Sequence, residues 1–440
     1  MRKILFITIF FGFLNSCNVL DVEPTNSIPE SLAYKTKSDV QRGILGAYNS
    51  LQALNYYGLT YLTFSDLLSD NLINPPNATA ASYREVDNNA VLPENTSVEG
   101  IWNAAYDAIN VANNVIAVIP KLDFLTQDEK NQALGELYFL RALHHFNLVN
   151  YFGDIPVKTE PTIGLTQVDA ARVPVQDVYK QIVSDLTEAE KFLPEGSSTI
   201  RANRNAASAL LARVYLYQTD YSRAEAYASK VIDSKRYTLL NNYGEIFKDY
   251  SGESIFEVDF TPLDRNRVAQ YFYPLTLNGR GEVAPALTFY QSYEPDDKRL
   301  IDIFGLSGTQ PFVKKYSDQA TGGDNIKVLR LAEMYLIRAE ARANLSIDLH
   351  AALSDLNTIR ERAGLKGIQS LNKDDILSAV EKERGFELAY EGHRWFDLVR
   401  TNRAIQVVPT VKNVHQYLLP VPQSELDTNK NPGMLQNPSY

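Results

Sequence analysis

Ala206-Ala-Ser-Ala-Leu-Leu-Ala-Arg-Val-Tyr-Leu-Tyr-Gln-Thr-Asp-Tyr-Ser-Arg-Ala-Glu-Ala-Tyr-Ala-Ser-Lys-Val-Ile232 decides the fold. Its apolar residues recur at helical spacing over Ala206 to Gln218 and again over Ser222 to Ile232, with a turn at Thr219-Asp220-Tyr221. Tyr215 is followed nine residues on by Ala224, then by Ala228 and Val231. A second predicted pair, Lys327 to Asn344 and His350 to Ala363, keeps that offset: Ala343 leads to Ala352, then Leu356 and Ile359, and Gly364 ends it. Small residues opening the second helix let two antiparallel helices approach closely.

This spacing resembles the tetratricopeptide motif, although the two pairs are far apart and not tandem. It predicts a mainly α protein: helix pairs stacked into a right-handed scaffold, with long irregular loops and a few short strands. Periodicity begins near Ser38, with Val40, Ile44, Ala47, Tyr48 and Leu51 on one face. Asn55 to Thr96 reads as loop, rich in Asn and carrying Pro75-Pro76. Val98 to Ile119 reads as a long helix stopped by Pro120. Thr126-Gln-Asp-Glu129 is a capping box opening a further helix that Gly153-Asp-Ile-Pro156 ends. Val175 to Leu193 is another, closed by Pro194, and a last helix is expected from Lys373 to Arg403. Between Tyr243 and Asp324 the helical signal lapses, and Ile255 to Phe260 alternates as one half-buried strand. Five prolines between Pro409 and Tyr440 predict an irregular cap.

At the other end, Arg2 and Lys3 precede an apolar stretch from Ile4 to Leu14, and Leu14-Asn15-Ser16-Cys17 reads as a lipobox. The stretch is too short to span a bilayer, so it reads as a signal peptide cleaved before a lipidated Cys17. Several acyl chains on one residue make such an anchor stable. Residues 18 to 37 are polar and proline-containing, a tether. A net charge of −10 over 440 residues argues against nucleic acid and anionic headgroups as partners. Cys17 is the only cysteine, so the mature body has no disulfide and no thiol chemistry. Tyrosine is abundant, 26 against 2 Trp, which suits sugar or peptide surfaces and helix packing alike.

Motifs for chemistry are missing: no P-loop, no Gly-x-Ser-x-Gly, no dinucleotide fingerprint and no His-Glu-x-x-His. Adjacent His144 and His145 point to different sides of a helix and cannot share a metal. Glu383, Arg384, Glu387, Glu391, Arg394, Asp397 and Arg400 stack at three- and four-residue spacings. Glycoside cleavage needs two acids about 5–9.5 Å apart across a cleft. Here each acid has an arginine within a turn, which reads as a structural ladder, with Trp395 in the core.

Several blocks together resemble the SusD/RagB family of Bacteroidetes outer-membrane nutrient-binding lipoproteins. They are Cys17-Asn-Val-Leu-Asp-Val-Glu-Pro24, Tyr138-Phe-Leu-Arg-Ala-Leu-His-His-Phe-Asn-Leu-Val-Asn-Tyr-Phe-Gly-Asp-Ile-Pro156 and Glu383-Arg-Gly-Phe-Glu-Leu-Ala-Tyr-Glu-Gly-His-Arg-Trp-Phe-Asp-Leu-Val-Arg400. Ala209 to Tyr217, Ala339 to Asn344, Leu419 to Glu425 and Gln436 to Tyr440 add to the likeness, in the family's order. The resemblance implies a SusD-like fold divided as signal peptide 1–16, lipidated tether 17–37, N-terminal helical region 38–240, and C-terminal region 241–440 with variable loops and cap. It implies a lipid-anchored outer-membrane protein facing the cell surface, which captures oligosaccharides and closes as a lid over a SusC-type TonB-dependent β-barrel transporter. No enzymatic step, cofactor or metal is implied. Alternatives are a peptide-binding lid of the RagB kind, a lipid-anchored glycoside hydrolase, or a protein scaffold.

A pyranose stacks its C–H face on an aromatic ring and hydrogen-bonds its hydroxyls to Asn, Asp or Arg. Two loop stretches carry such groups, and the resemblance puts ligands near them. The first holds Tyr56, Tyr57, Tyr83, Arg84, Asn71, Asn74 and Asn77, leading toward Trp102. The second holds Arg265, Arg267, Tyr271, Phe272, Tyr273, Asn278 and Arg280. Tyr290, Tyr293 and Asp296 to Arg299 read as structural. A calcium ion held by loop carboxylates stays open.

Overall fold

The computed structural model describes residues 33–164 and 168–440. The signal peptide 1–16, the lipidation site Cys17 and residues 18–32 of the tether lie outside the described residues. Helices α1 (Lys37–Asn49), α2 (Thr60–Leu67), α3 (Ala81–Asp87), α4 (Thr96–Val118), α5 (Gln127–Phe152), α6 (Val175–Phe192), α7 (Arg204–Tyr217) and α8 (Tyr221–Asp233) follow one another through the first half. Short α9 (Val268–Phe272), α10 (Leu287–Gln291) and α11 (Arg299–Ile303) come next. Then come α12 (Leu331–Leu345), α13 (Leu349–Arg362), α14 (Lys373–Glu387), α15 (Arg394–Arg400), α16 (Ala404–Val407) and α17 (Gln423–Thr428).

Local sequence sets the helix starts. Thr126 and Glu129 close the expected capping box on α5. Asn95, Asn203, Asp220, Asp348 and Asn372 each accept backbone N–H bonds at the starts of α4, α7, α8, α13 and α14. The two tetratricopeptide-like pairs are α7–α8 and α12–α13, and they are joined through contact of α8 with α12. The reason is visible in the seam: Ala224, Ala228, Ala339, Ala343 and Ala352 are all fully buried, so backbones meet with methyl groups alone between them.

Four expectations need correction. The stretch from Asn55 to Thr96 is not all loop, because α2 and α3 form within it. The helix expected from Lys327 starts at Leu331, since Ile326–Arg330 is a strand paired antiparallel with Ser254–Val258. Ser254–Val258, expected to be half exposed, is buried on both faces. The helix expected over Lys373–Arg403 breaks after Glu387. Tyr390 and Gly392 take positive φ of 64° and 81°, and α15 leaves in a new direction. Tyr390 tolerates this strain because Asp66 Oδ1 accepts its N–H at 3.1 Å and its ring packs on Phe272, Phe289 and Phe304.

The expected charge ladder is a tertiary network. Fully buried Glu387 accepts from Arg299 at 3.2 Å, Arg330 at 2.6 Å and Arg362. Glu383 accepts from Arg299 at 2.6 Å and Arg360 at 3.2 Å, while Glu391 accepts from Arg330 at 2.7 Å and Lys315 at 2.8 Å. Only Asp397 pairs along its own segment, with Arg384 at 2.9 Å and Arg400 at 2.8 Å. Burial alone would raise the Glu387 carboxyl, but Arg362, Arg330 and Arg299 hold it well below the usual range. The residues after Pro409 cap the body: Leu419 N–H donates to Tyr151 O at 2.7 Å, and Asn437 Nδ2 donates to Phe152 O at 2.9 Å and Leu419 O at 2.7 Å. Arg172 ties the exit turn of α5 to this cap through Asp154 O at 2.7 Å and Leu435 O at 2.5 Å.

Glu387→Ala strands three guanidinium groups in the core, and denaturant unfolding is expected to show a loss of about 3–5 kcal/mol. Asp66 behaves oppositely with pH. Burial pushes its carboxyl up to about 6, against Asn71 and the Tyr390 N–H. Its folded pKa thus exceeds the ordinary 3.8, so its stabilising contribution is complete below 3.8 and is lost as pH rises through about 6. Asp66→Asn keeps the acceptor toward Tyr390, and its unfolding free energy should overtake the native protein's by about 2–3 kcal/mol between about pH 4 and about pH 8. Parallel pH curves for the two proteins would refute this account of Asp66.

Candidate ligand-binding face

Five of the aromatic residues expected to line a binding platform are core residues. Tyr56 is fully buried, its hydroxyl bonded to His144 Nδ1 at 2.9 Å and accepting Asn147 Nδ2 at 2.7 Å. Tyr57 accepts from the same amide at 3.0 Å, and both rings pack with Tyr61. Tyr83 stands edge-on to Phe64 at 5.1 Å, Phe272 edge-on to Tyr390 at 6.1 Å, and Trp102 edge-on to Phe152 at 5.0 Å. Each is at most 4 % exposed, so none turns a ring face to solvent. The physical reason for the three tyrosines is that α2 threads through what was expected to be a loop, and its Tyr61 and Phe64 take these rings as packing partners. Trp102 does border a cavity of about 270 Å³ between α4 and α17, with Tyr106, Asp107, Asn110 and Glu425.

The remaining candidates stay accessible and come together. Tyr271 and Tyr273 are half-buried, and Arg84 and Arg280 are exposed. Glu282, a residue sequence reasoning missed, joins the two stretches. Its buried carboxylate accepts from Thr79 N–H at 2.9 Å, Thr79 Oγ1 at 2.6 Å, Ala80 N–H at 3.0 Å and Arg280 at 3.0 Å. Its carbonyl accepts Asn74 Nδ2 at 2.8 Å. Two residues on, Ala284–Pro285 pairs antiparallel with Leu72–Ile73. Burial alone would raise the Glu282 carboxyl, yet these donors hold it below its usual range. Nothing in Gly279-Arg-Gly-Glu282 marks this acid as a clamp, since its donors Thr79 and Ala80 lie about two hundred positions away.

Clamped in this way, residues 71–84 lie beside residues 265–282. The Tyr83 and Tyr271 rings are 6.0 Å apart, and the Arg280 guanidinium lies 4.9 Å from the Tyr271 ring centroid. Arg84 donates to Ala78 O at 3.0 Å, and Arg267 to Gln270 Oε1 at 2.7 Å. Asn74 is buried in the clamp while Asn77 and Asn278 are exposed. Gly279 makes the tight return possible: a Cβ there would fall 1.9 Å from Tyr273 O. The acids of the Glu383–Arg400 segment are buried in ion pairs, and among the described residues no three His, Cys, Asp or Glu are placed to hold a metal ion.

Residues 18–216 match the family described as starch-binding and associating with the outer membrane, and residues 213–409 match the SusD family. This chain belongs to the SusD/RagB family. SusD-like protein P2 of Formosa agariphila is 28 % identical over 100 % of this chain and 99 % of its own length. The starch-binding protein SusD of Bacteroides thetaiotaomicron is 26 % identical over 72 % of this chain and 74 % of its own. Among solved structures, a laminarin-binding SusD-like protein superposes with a TM-score of 0.82 at 25 % identity, covering 92 % of this chain and 100 % of its own. Family members of this kind are carbohydrate-binding proteins, and the mainly helical SusD fold is the one described above.

Tyr56→Ala is expected to cost about 3–5 kcal/mol in denaturant unfolding, the cost of emptying an aromatic core site. Tyr271→Ala, half-buried at the edge, should leave the unfolding midpoint near that of the native protein. Equal losses for both would contradict their placement.

Proposed function

We propose that this SusD-family protein captures oligosaccharides on the face where residues 71–84 meet residues 265–282, and delivers them to a SusC-type TonB-dependent outer-membrane transporter. The observation that carries the reading is the Glu282 clamp, which builds one surface from two loops and leaves Tyr271, Tyr273, Arg84 and Arg280 at its edge. Half-open tyrosine rings offer an apolar face for a sugar's C–H groups, and the arginines and exposed amides offer donors for its hydroxyls. Binding is capture without chemistry, in keeping with motif acids that are all committed to arginine or lysine.

Lipidation of Cys17 holds the body at the membrane surface, and the tether lets it swing against the barrel. Affinity for glycan can then be modest, because tethering supplies a high local concentration of binding sites at the transporter.

Native gels cast with separate polysaccharides test the capture step, using the domain from about residue 33 onward. Retardation by at least one glycan is expected, weakened by Tyr271→Ala and Tyr273→Ala. A panel without any retardation, alongside binding of sequence-diverse peptides, would move the protein to the peptide-binding branch. In cells, Cys17→Ala should release the protein from the outer-membrane fraction and abolish co-purification with its barrel.

A further inference from the structure

The described arginines of this chain are nearly all neutralised within the protein. Most lie within 4.0 Å of a carboxylate; the exceptions are Arg84, Arg172, Arg265 and Arg267. Arg172 is consumed by the carbonyls of Phe152, Asp154 and Leu435 under the cap. The other three lie on the two stretches that Glu282 clamps together. Arg84 spends one terminal nitrogen on Pro75 O and Ala78 O, Arg267 spends one on Gln270, and among the described residues the Arg265 side chain donates to no group. A guanidinium carries five N–H donors, so most of this face's donor capacity points at no protein acceptor.

Arg265 and Arg267 are neighbours, two positions apart on the second stretch. Gln270 takes the Arg267 side chain on its amide and the Arg280 N–H on its carbonyl at 2.7 Å, so the two flank one residue. Arg265 is set beside them by Asn266, which bonds Gly322 O at 2.9 Å and Asp324 O at 2.7 Å. The acids close by are occupied elsewhere: Asp318 by the N–H groups of Thr321 and Gly323, Asp324 by those of Ser317 and Asp318, and Asp87 by that of Asn74. Glu282 is buried and saturated, and among the described residues Asp264, beside Arg265, is the acid of this loop whose carboxylate takes no donor. In a protein of net charge −10, a cluster of unpaired arginines on the ligand-facing loops is an exception that a neutral sugar does not need.

We propose that the captured glycan is anionic, with sulfate-ester or uronate-carboxylate groups seated on Arg84, Arg265 and Arg267 while its rings lie along Tyr271 and Tyr273. Both substituents are planar-edged oxyanions that a guanidinium fork binds with two parallel hydrogen bonds, which an ammonium or an amide does not reproduce. This inference rests on the capture face proposed above and narrows it to a substrate class.

Calorimetric titration with three probes tests it: a sulfated carrageenan oligosaccharide, an oligogalacturonate and laminarihexaose. One or both anionic probes should bind more tightly than the neutral one, and that advantage should fade between about 0.1 and about 1 M NaCl as the screening length falls from about 10 to about 3 Å. Arg265→Gln and Arg267→Gln should each weaken anionic binding roughly two- to fivefold, the range of an exposed charge contact. Arg236→Gln, on a remote surface pair with Glu195, should not. Carrageenan alone bound identifies a sulfate ester, oligogalacturonate alone a uronate. Laminarihexaose bound as tightly as either, or an anionic preference that both substitutions leave intact, overturns the anionic assignment while glycan capture stands. No binding by any probe, neutral polysaccharides included, overturns both.

Discussion

The fold hangs on a carboxylate that three arginines share. Glu387 ends α14 in the interior, and its partners come from α11, from the strand before α12 and from α13. Placing so many charges out of water carries a large desolvation cost, offset only when every oxygen and most N–H groups find a counterpart. That condition makes the network specific: the segments can arrive in one arrangement only. Glu391, beyond the break after Glu387, joins the same network through Arg330 and Lys315.

The same constraint reaches the two loops that Glu282 joins. The elbow that follows Glu387 is held by Tyr390, whose N–H bonds Asp66 on α2 and whose ring packs on Phe272 of α9. The helix α9 carries Tyr271, and Asp66 also bonds Asn71, where the first loop begins. From network to elbow to loop roots, the path is a few contacts long. The loops themselves are then closed by Glu282, a second buried carboxylate that holds backbone N–H groups and a hydroxyl as well as one guanidinium. One acid orders the scaffold and another orders its surface.

How much of this is legible in the residues varies with the range of the interaction. Helix starts are local, and Thr126 with Glu129 announces α5 without any tertiary information. The alanine seam of α7–α8 and α12–α13 is likewise written in spacing. Long-range pairing is not. The residues Ile326 to Arg330 extend the helical pattern of α12, and only the partner strand Ser254–Val258 draws them into a sheet. Tyr56, Tyr57, Tyr83 and Trp102 look like a ligand platform because aromatic residues among asparagines resemble an exposed loop. Asn147 and His144, some ninety positions on, turn the hydroxyls of Tyr56 and Tyr57 inward. The arginines of the second stretch are distinguished by what they lack, and an unmet partner leaves no mark in a sequence.

The seam between α5 and the cap has a temporal consequence. Phe152 O is satisfied by Asn437, 285 positions later, and the exit turn of α5 is laced to the same segment through Arg172. Contacts of such separation form late, because a long loop must close before they give any return. A ribosome releasing this chain from its N-terminus will have finished α5 long before residue 437 exists, leaving its exit turn unsealed. The body therefore stays open at that turn until the last residues of the chain have been made.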